Sequence, residues 1–344
     1  MRIARHDAAS HARYQALKVL ARSQRRVLPG APGMLKRRVR GGTEYWVREF
    51  NRIDGRKADE HIGTVAAVSA AQLERARAGI ELARALVSGS SALRLFGYQR
   101  VERRVAAVLA ALFSHGLFEA GLTLVGSHAY GSLVNELGVA APAYTTQDID
   151  VARGQPLELG ASAVPAFEDI LADSGLQFVP VPGMPSRRPS GSFKIPGADA
   201  LSVDLLVPGK ALGDIVPLPE LGTHAQQVPL LDFLVAEPIE AIVLGPNHVV
   251  PVRVPAPERF VLHKLISSQE RKTDRAKARK DLEQAAAIAA ALAEDRPDAL
   301  TDAYRDLPTS ARSSARRGAH AAASHLQTSH PSGHQSLEAI ARRR

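Results

Sequence analysis

The stretch Thr146-Gln147-Asp148-Ile149-Asp150-Val151 places two acidic residues on either side of one apolar residue. Because the side chains of a β-strand alternate between its two faces, Asp148 and Asp150 are predicted to point the same way. A third acid, Asp204, lies in the apolar run 201–207 and is predicted to join them at the same edge of a sheet. Three carboxylates so placed can hold two Mg²⁺ ions about 3.5–4 Å apart, an arrangement that serves phosphoryl and nucleotidyl transfer. On its own, an Asp-x-Asp pair is more often a solvated strand end or a turn.

A turn that suits phosphate precedes these acids. The apolar run 122–125 predicts a strand, which ends in Gly126-Ser127 and is followed by a helix-like segment at 128–137. Backbone N–H groups at the start of a helix favour phosphate, and Ser127 adds a hydroxyl donor. Gly126 has no Cβ, so a ligand can come close to its backbone. A Gly-Ser pair also occurs in ordinary strand-to-helix turns, and it is the order of the turn and the three acids that makes the pattern specific.

This order of Gly-Ser, Asp-x-Asp and a later strand Asp resembles the nucleotidyltransferase fold of the DNA polymerase beta-like superfamily. The resemblance implies that Gly126 and Ser127 contact the phosphates of a nucleoside triphosphate (NTP). It also implies that Asp148 and Asp150 bind two Mg²⁺ or Mn²⁺ ions. Asp204 would then complete the metal site and activate an acceptor hydroxyl, so that all three acids are the expected catalytic residues.

The spacing narrows the resemblance to a stand-alone bacterial subfamily of unsettled substrate. Twenty residues separate Ser127 from Asp148, which is more than is usual in the superfamily. This longer gap and the blocks at 191–194 and 254–265 are similar to that subfamily, and the resemblance covers about residues 40–300. It implies that Lys264 lies beside the triphosphate, whereas the alternative is a lysine whose ammonium group only reaches out to solvent.

The resemblance implies an α+β protein, a mixed sheet flanked by helices. The pattern along the chain adds a small N-terminal β element and a C-terminal helical subdomain. Four regions are predicted: a basic N-terminal helix and small antiparallel sheet at 1–65, helices and the catalytic core at 66–220, a second unit of strands and C-terminal helices at 221–308, and a basic, loosely ordered tail at 309–344.

Turn, capping and periodicity signals predict individual elements within these regions. The predicted strands are at 35–40, 44–51, 56–62, 230–235, 240–244 and 248–254. The predicted helices are at 69–86, 101–113, 163–174 and 282–292, with another that begins at Pro257. The stretch 179–192, which carries Arg187 and Arg188, is rich in Pro, Gly, Ser and Arg and is expected to be a mobile loop.

Positive charge is concentrated near the N-terminus. Residues 1–60 contain 15 Lys and Arg against 6 Asp and Glu, and the resulting +9 equals the net charge of the whole chain. The cations that crowd there together with the aromatic pair Tyr45-Trp46 are Arg22, Arg25, Arg26, Lys36, Arg37, Arg38 and Arg40. Such a combination can grip a phosphate backbone and stack on a base, so this segment is a candidate RNA contact. The alternative is a solvated basic face.

Absent features exclude several classes of protein. The chain has no cysteine, which excludes disulfides, thiolate zinc sites and a cysteine nucleophile. It has neither a P-loop nor a Gly-x-Gly-x-x-Gly motif, and no apolar run approaches the ~20 residues of a membrane span. No membrane partner is therefore expected, and the expected location is cytoplasmic.

These features together favour a metal-dependent nucleotidyltransferase of the EC 2.7.7 type. It would move a nucleoside monophosphate from an NTP to an acceptor hydroxyl on an RNA 3′ end, a protein side chain or a small molecule. Two alternatives remain at this point. One is a nucleotide-binding or nucleic-acid-binding regulatory or toxin-antitoxin module with the same fold, and the other is a nucleic-acid-binding protein that acts through its first 60 residues.

Overall fold

The computed structural model describes residues 1–159, 165–183, 189–197 and 200–343. Within these ranges the chain combines helices with a mixed β-sheet, which confirms the expected α+β class. No helix in the same ranges has both the length and the apolar character that crossing a membrane requires.

The N-terminal region contains the small sheet that the sequence predicts. Its elements and those that follow are β1 (Ala4–Arg5), α1 (Ala8–Arg22), β2 (Met34–Arg40), β3 (Thr43–Asn51), β4 (Lys57–Thr64), α2 (Ala70–Leu95) and α3 (Arg103–Ser114). Strands β2, β3 and β4 pair antiparallel in sequence order. The turn between the first two strands uses Gly41 and Gly42, both in the left-handed region that suits a two-residue hairpin turn.

Helix α2 begins at its predicted cap and ends later than predicted. Ser69 Oγ accepts a hydrogen bond from the backbone N–H of Gln72 at 3.2 Å, and the Gln72 side chain accepts one from Ser69 N at 2.8 Å. The helix continues beyond 86 to Leu95, and its last turns bury Ser90 and Leu93 on one side. There Ser90 donates a hydrogen bond to the carbonyl of Gly245 at 2.8 Å.

The central sheet carries the acidic residues. The elements of this part of the chain are β5 (Leu122–Leu124), α4 (Gly126–Glu136), β6 (Val139–Ala140), β7 (Asp148–Arg153), α5 (Phe167–Ala172), β8 (Val179–Pro180), β9 (Ser192–Lys194), β10 (Ser202–Pro208), β11 (Ile215–Leu218) and β12 (Thr223–Val228). The strand order is β11-β12-β10-β7-β5, and β9 pairs with the first half of β10 and with β8. Strands β7, β10 and β12 run parallel, whereas β5 and β11 are antiparallel to their neighbours. The sheet is therefore mixed, as expected.

Two predictions in this part fall on or beside residues that the structure does not describe. Arg187 and Arg188 lie outside the described residues, as does the predicted start of the helix at 163. The described part of that helix is α5. The described part of the predicted loop at 179–192 begins with β8 rather than with irregular structure.

The boundary predicted between 220 and 221 does not separate two units. It falls between β11 and β12, which pair antiparallel over four residues. Strand β12 also pairs with β10, so it belongs to the central sheet.

The predicted strand at 230–235 is wrong, because this segment forms the short helix α6 (Leu231–Val235). Four of its five residues are buried apolar side chains. A short continuous apolar run is compatible with either a buried strand or a buried helix, and periodicity does not distinguish them.

The chain continues with a hairpin and a group of packed helices. These elements are β13 (Ile239–Leu244), β14 (Val249–Val254), α7 (Pro257–Glu270), α8 (Arg275–Asp295), α9 (Ala299–Asp306), α10 (Thr309–Ala323) and α11 (Pro331–Ala341). The hairpin strands and the start of α7 at Pro257 are as predicted. Helix α8 begins earlier than predicted, since the basic stretch before 282 is already helical.

The prediction of a loosely ordered tail at 309–344 is wrong. Helices α10 and α11 occupy most of it, α10 packs on α7, and the buried side chains of α10 are small, among them Ala315 and Ala319. At Gly318 an added Cβ would lie 2.3 Å from the carbonyl oxygen of Leu265, so the two backbones approach closely. The scarcity of large apolar residues therefore reflects close helix packing and not disorder.

Candidate active site

The alternation of side chains on two neighbouring strands brings the acids to one face of the sheet. In β7 and β10 the apolar residues Ile149, Val151, Val203 and Leu205 are buried on the opposite face. Asp204 is the register partner of Asp150 in the parallel ladder, and Ser202 is the partner of Asp148. Ser202 Oγ donates a hydrogen bond to Asp148 Oδ1 at 2.9 Å. The three acids therefore lie on the same face of the neighbouring strands β7 and β10.

The Gly-Ser turn lies directly against this edge. The backbone N–H of Val125 donates to the carbonyl of Asp150 at 2.9 Å, and helix α4 begins at the next residue. Gly126 has φ +67°, and a Cβ added there would lie 2.0 Å from Asp150 Oδ2. Only glycine therefore allows the turn and this carboxylate to come so close. Ser127 Oγ accepts a hydrogen bond from Gln284 Nε2 of α8 at 3.3 Å.

The electrostatics of the acids reflect unpaired negative charge. Burial and then the neighbouring Asp204 raise the pKa of Asp150 to about 6, and Lys264 only partly opposes this. Burial also raises the pKa of Asp204, where a hydrogen bond from Ser192 works against it and Asp148 reinforces it. Like charges at close range disfavour the ionised form, and a positive ligand beside these carboxylates would favour it.

Cations from α7 and α8 face the acids across a shared cavity. Lys264 is buried, and its Nζ lies 2.6 Å from Oδ1 of the fully buried Asp281. Arg271 Nε lies 2.8 Å from the other oxygen of the same carboxylate. Burial and, after it, the charge of Lys264 lower the pKa of Lys280, which directly precedes Asp281 on α8. The predicted Lys264 thus lies in the site, but its ammonium group is held by an ion pair.

A cavity of about 450 Å³ joins these groups. The six residues predicted for the site all line it, namely Gly126, Ser127, Asp148, Asp150, Asp204 and Lys264. Its remaining wall includes apolar side chains of α6 and α7 as well as Lys277 and Lys280. The sequence pattern therefore identified a set of residues that the fold does bring together.

Three contributors from α8 were not identified as site residues from the sequence. Lys280 and Asp281 belong to the basic stretch before 282, and Gln284 lies in the alanine-rich run that follows. Gln284 is fully buried. The sequence did contain a signal for Gln284, a single amide side chain on the buried face of an alanine-rich helix. A buried polar group requires a hydrogen-bond partner, and this one is provided by the site.

The three acids have side-chain oxygens of the kind that binds a divalent cation. Carboxylate oxygens are the ligands that Mg²⁺ and Mn²⁺ prefer, and the raised pKa values show that negative charge here is incompletely compensated. As the side chains stand, no three acidic or histidine side chains of the described residues are placed to hold one ion together. A shared ion therefore requires at least one of these carboxylates to turn.

Ion pairs neutralise much of the basic N-terminal segment. The pairs formed by its predicted RNA-contacting cations are Arg22 with Glu240, Arg26 with Glu60, Lys36 and Arg38 with Glu49, and Arg40 with Asp59. The guanidinium of Arg37 lies over the Trp46 ring, 4.8 Å from its centroid. The RNA contact stays a prediction. Fewer of the cations predicted for it are without an ion-pair partner than the number of basic residues suggested.

Comparison with known proteins adds a family to this geometry. A search of curated proteins found no match to the chain. A family model described as nucleotidyltransferase matches residues 103–309, which is more than half of the chain. The matched region begins at α3, ends at the start of α10 and contains the whole cavity described above.

Proposed function

The chain belongs to the nucleotidyltransferase family, and we propose that it transfers a nucleoside monophosphate from an NTP to an acceptor hydroxyl, with release of pyrophosphate. One observation carries the proposal. Asp150 and Asp204 are register partners on parallel strands, and the Gly126 turn lies against Asp150. The start of a helix, a position that favours anions, therefore lies beside two carboxylates whose pKa values are raised.

The start of α4 is the proposed binding site for the β and γ phosphates. Its first backbone N–H groups lack hydrogen-bond partners within the helix and point outward from its N-terminal end. The Ser127 hydroxyl donates to the same phosphates, while Gln284 fixes its oxygen from behind. Lys264 and Lys280, which line the same cavity, offset the negative charge of the triphosphate.

The proposed chemistry is an in-line displacement at the α phosphorus. The acceptor oxygen forms a bond to this phosphorus, the bond to the bridging oxygen of the β phosphate breaks, and pyrophosphate leaves. The carboxylate of Asp204 accepts the proton of the acceptor hydroxyl. Its position supports this role, because Asp204 is the register partner of Asp150 and lines the same cavity as the Gly-Ser turn.

Two divalent cations, Mg²⁺ or Mn²⁺, are part of the proposal. Asp148, Asp150 and Asp204 would hold them, and when bound they would neutralise phosphate charge and lower the pKa of the acceptor hydroxyl. The acceptor is an RNA 3′ end, a protein side chain or a small molecule, and assignment to the EC 2.7.7 type follows from this reaction. The cytoplasmic location stays a prediction.

The proposal is tested by following label from each α-labelled NTP into acceptors. Purified protein would be incubated with Mg²⁺ and, separately, with total RNA, lysate protein and a small-molecule extract. We expect label transfer by the wild type and by Asp232→Asn, a control at an exposed acid of α6 outside the cavity. We expect none by Asp150→Asn. Equal transfer by Asp150→Asn, or none from any NTP by the wild type, would contradict the proposal.

A further inference from the structure

A second, smaller cavity lies on the other side of the Gly-Ser turn. Its volume is about 140 Å³, and it is bounded by α4, the segment before α3 and the end of β13. It shares the lining residues Ser127 and Thr146 with the main cavity, so the two cavities are neighbours at the Gly-Ser turn. Nothing in the proposed phosphate binding or transfer chemistry uses this second cavity.

The two cavities differ in charge. The main cavity is lined by many charged residues, four cations (Lys264, Arg271, Lys277 and Lys280) and five acids, and it suits a triphosphate that carries divalent cations. Among the described residues that line the second cavity, Arg100 is the one lysine or arginine, and Val101, Val243 and Leu244 give it an apolar wall. A cavity with few cations and a part-apolar lining suits an uncharged group with polar edges.

Two side chains in this lining, Arg100 and His128, have a buried nitrogen without a hydrogen-bond partner among the described residues. His128 is 9 % exposed, and its Nε2 has no hydrogen-bond partner among the described residues. Burial lowers the pKa of His128 to about 4, so the ring is neutral at physiological pH. A neutral imidazole nitrogen donates or accepts one hydrogen bond according to its tautomer. A buried polar atom without a partner is unusual and calls for a ligand or another explanation.

A glycine sets the spacing at one end of this cavity. Gly131 lies one turn after His128 on α4, and a Cβ added there would lie only 3.2 Å from Gln99 Oε1, so the Gln99 side chain packs closely against α4 at this point. Any larger residue at 131 would narrow the space between α4 and the segment before α3.

We propose that the second cavity receives the base of the nucleotide whose phosphates bind in the main cavity, with His128 Nε2 hydrogen-bonding to an edge of that base. This inference rests on the proposed function. It assigns base selection to His128, with Gln99 and Gly131 shaping the space, and it leaves phosphate binding to the main cavity.

The test compares His128→Leu with the matched control His248→Leu. His248 is also buried, with its pKa lowered to about 4 by burial, and it lines neither cavity. Affinities for ATP, GTP, CTP, UTP and inorganic tripolyphosphate would be measured with Mg²⁺ by calorimetry. We expect the wild type to prefer one base. His128→Leu should weaken binding of that NTP by about three- to tenfold, as expected for one lost hydrogen bond, and leave tripolyphosphate binding unchanged.

Other outcomes overturn the inference in distinguishable ways. Equal weakening of the NTP and tripolyphosphate would place His128 in phosphate binding. An unchanged base preference in His128→Leu would show that the second cavity binds the acceptor or no ligand, and not the base. If the wild type binds neither NTP nor tripolyphosphate, the proposed function fails and this inference with it. Should His128→Leu not fold, Gly131→Ala keeps the test open, since it adds a methyl group to the cavity and favours the helix, and it should also reduce base preference.

Discussion

The N-terminal sheet and the acidic edge of the central sheet arrange charge in opposite ways. In the N-terminal sheet, Glu60 lies 2.7 Å from Arg48 Nε and 2.5 Å from Arg26. Burial alone would raise the pKa of Glu60, but the hydrogen bonds from these two guanidinium groups lower it below its usual value. At the acidic edge, burial and neighbouring carboxylates raise the pKa of Asp150 and Asp204.

The difference separates carboxylates that stabilise the fold from carboxylates that do not, and we propose that the latter bind a ligand. A carboxylate with a lowered pKa contributes to folding stability at neutral pH, whereas one with a raised pKa detracts from it. Raised values in a cleft are typical of functional sites. The excess of basic residues near the N-terminus thus says less about function than the small cluster of acids does.

The largest effect is expected for Asp281, a charge in the active-site cavity that is paired like those of the N-terminal sheet. Asp281→Asn leaves the ammonium group of Lys264 buried without its partner, and the free energy of unfolding should fall by about 3–5 kcal/mol. The double variant Lys264→Met with Asp281→Leu should recover much of that loss, since it leaves no buried charge. Urea denaturation measures both. A loss below about 1 kcal/mol in Asp281→Asn would show that this pair is not stabilising.

Next in size is the pH-dependent effect of Asp150→Asn, measured with EDTA present. The pKa of Asp150 is raised from 3.8 to about 6 in the folded protein. Between these values the folded state binds more protons than the unfolded state, so wild-type stability falls as pH rises through the window. The variant lacks this loss and should gain about 2–3 kcal/mol over the wild type between the acidic and the neutral side of the window. Parallel pH profiles for both proteins would mean that Asp150 titrates normally.

Ser127→Ala probes the uncharged donor at the acidic edge. Loss of a hydrogen bond to a charged phosphate should reduce NTP affinity by about 1.5–3 kcal/mol, or roughly ten- to more than a hundredfold. The effect should depend on divalent metal, because the acids repel the triphosphate without it. Titrations with Mg²⁺ and with EDTA test both parts, with Ser23→Ala, at the exposed end of α1, as the control. Equal affinities in all of them would exclude a role for the turn in binding.

The smallest effect is expected at Glu60, in the N-terminal sheet. Glu60→Gln weakens the partner of the buried Arg48, and because Glu60 is partly exposed the loss should be about 1–2 kcal/mol. The exposed pair between Glu74 and Arg77 offers a control, since Glu74→Gln should change stability by less than about 0.5 kcal/mol. Denaturation curves in which the two variants match would remove the distinction between the sheet and an ordinary surface.

Local patterns in the sequence were sufficient for the acids and the turn. The period-two alternation of β7 and β10 fixes which face carries Asp148, Asp150 and Asp204, and glycine is required where Gly126 meets Asp150. The hairpins of the N-terminal sheet and the cap at Ser69 likewise depend on neighbouring residues, and they were predicted correctly.

Features that depend on distant contacts were not predictable in this way. Helix α10 packs against α7 and buries only small residues, and small residues alone resemble a disordered composition. The pairing of Lys264 with Asp281 and the contact of Gln284 with Ser127 join residues far apart in sequence. Their positions follow from the packing of α8 against the site and from no local pattern.

The most direct test of the central claim measures transfer rate and unfolding free energy together in Asp204→Asn and Glu60→Gln. We expect Asp204→Asn to lose nucleotidyl transfer while its stability equals or exceeds that of the wild type, because it relieves repulsion at the acidic edge. We expect Glu60→Gln to lose stability while its transfer rate is unchanged. Retained transfer in Asp204→Asn, or a loss of stability in it as large as in Glu60→Gln, would contradict the account.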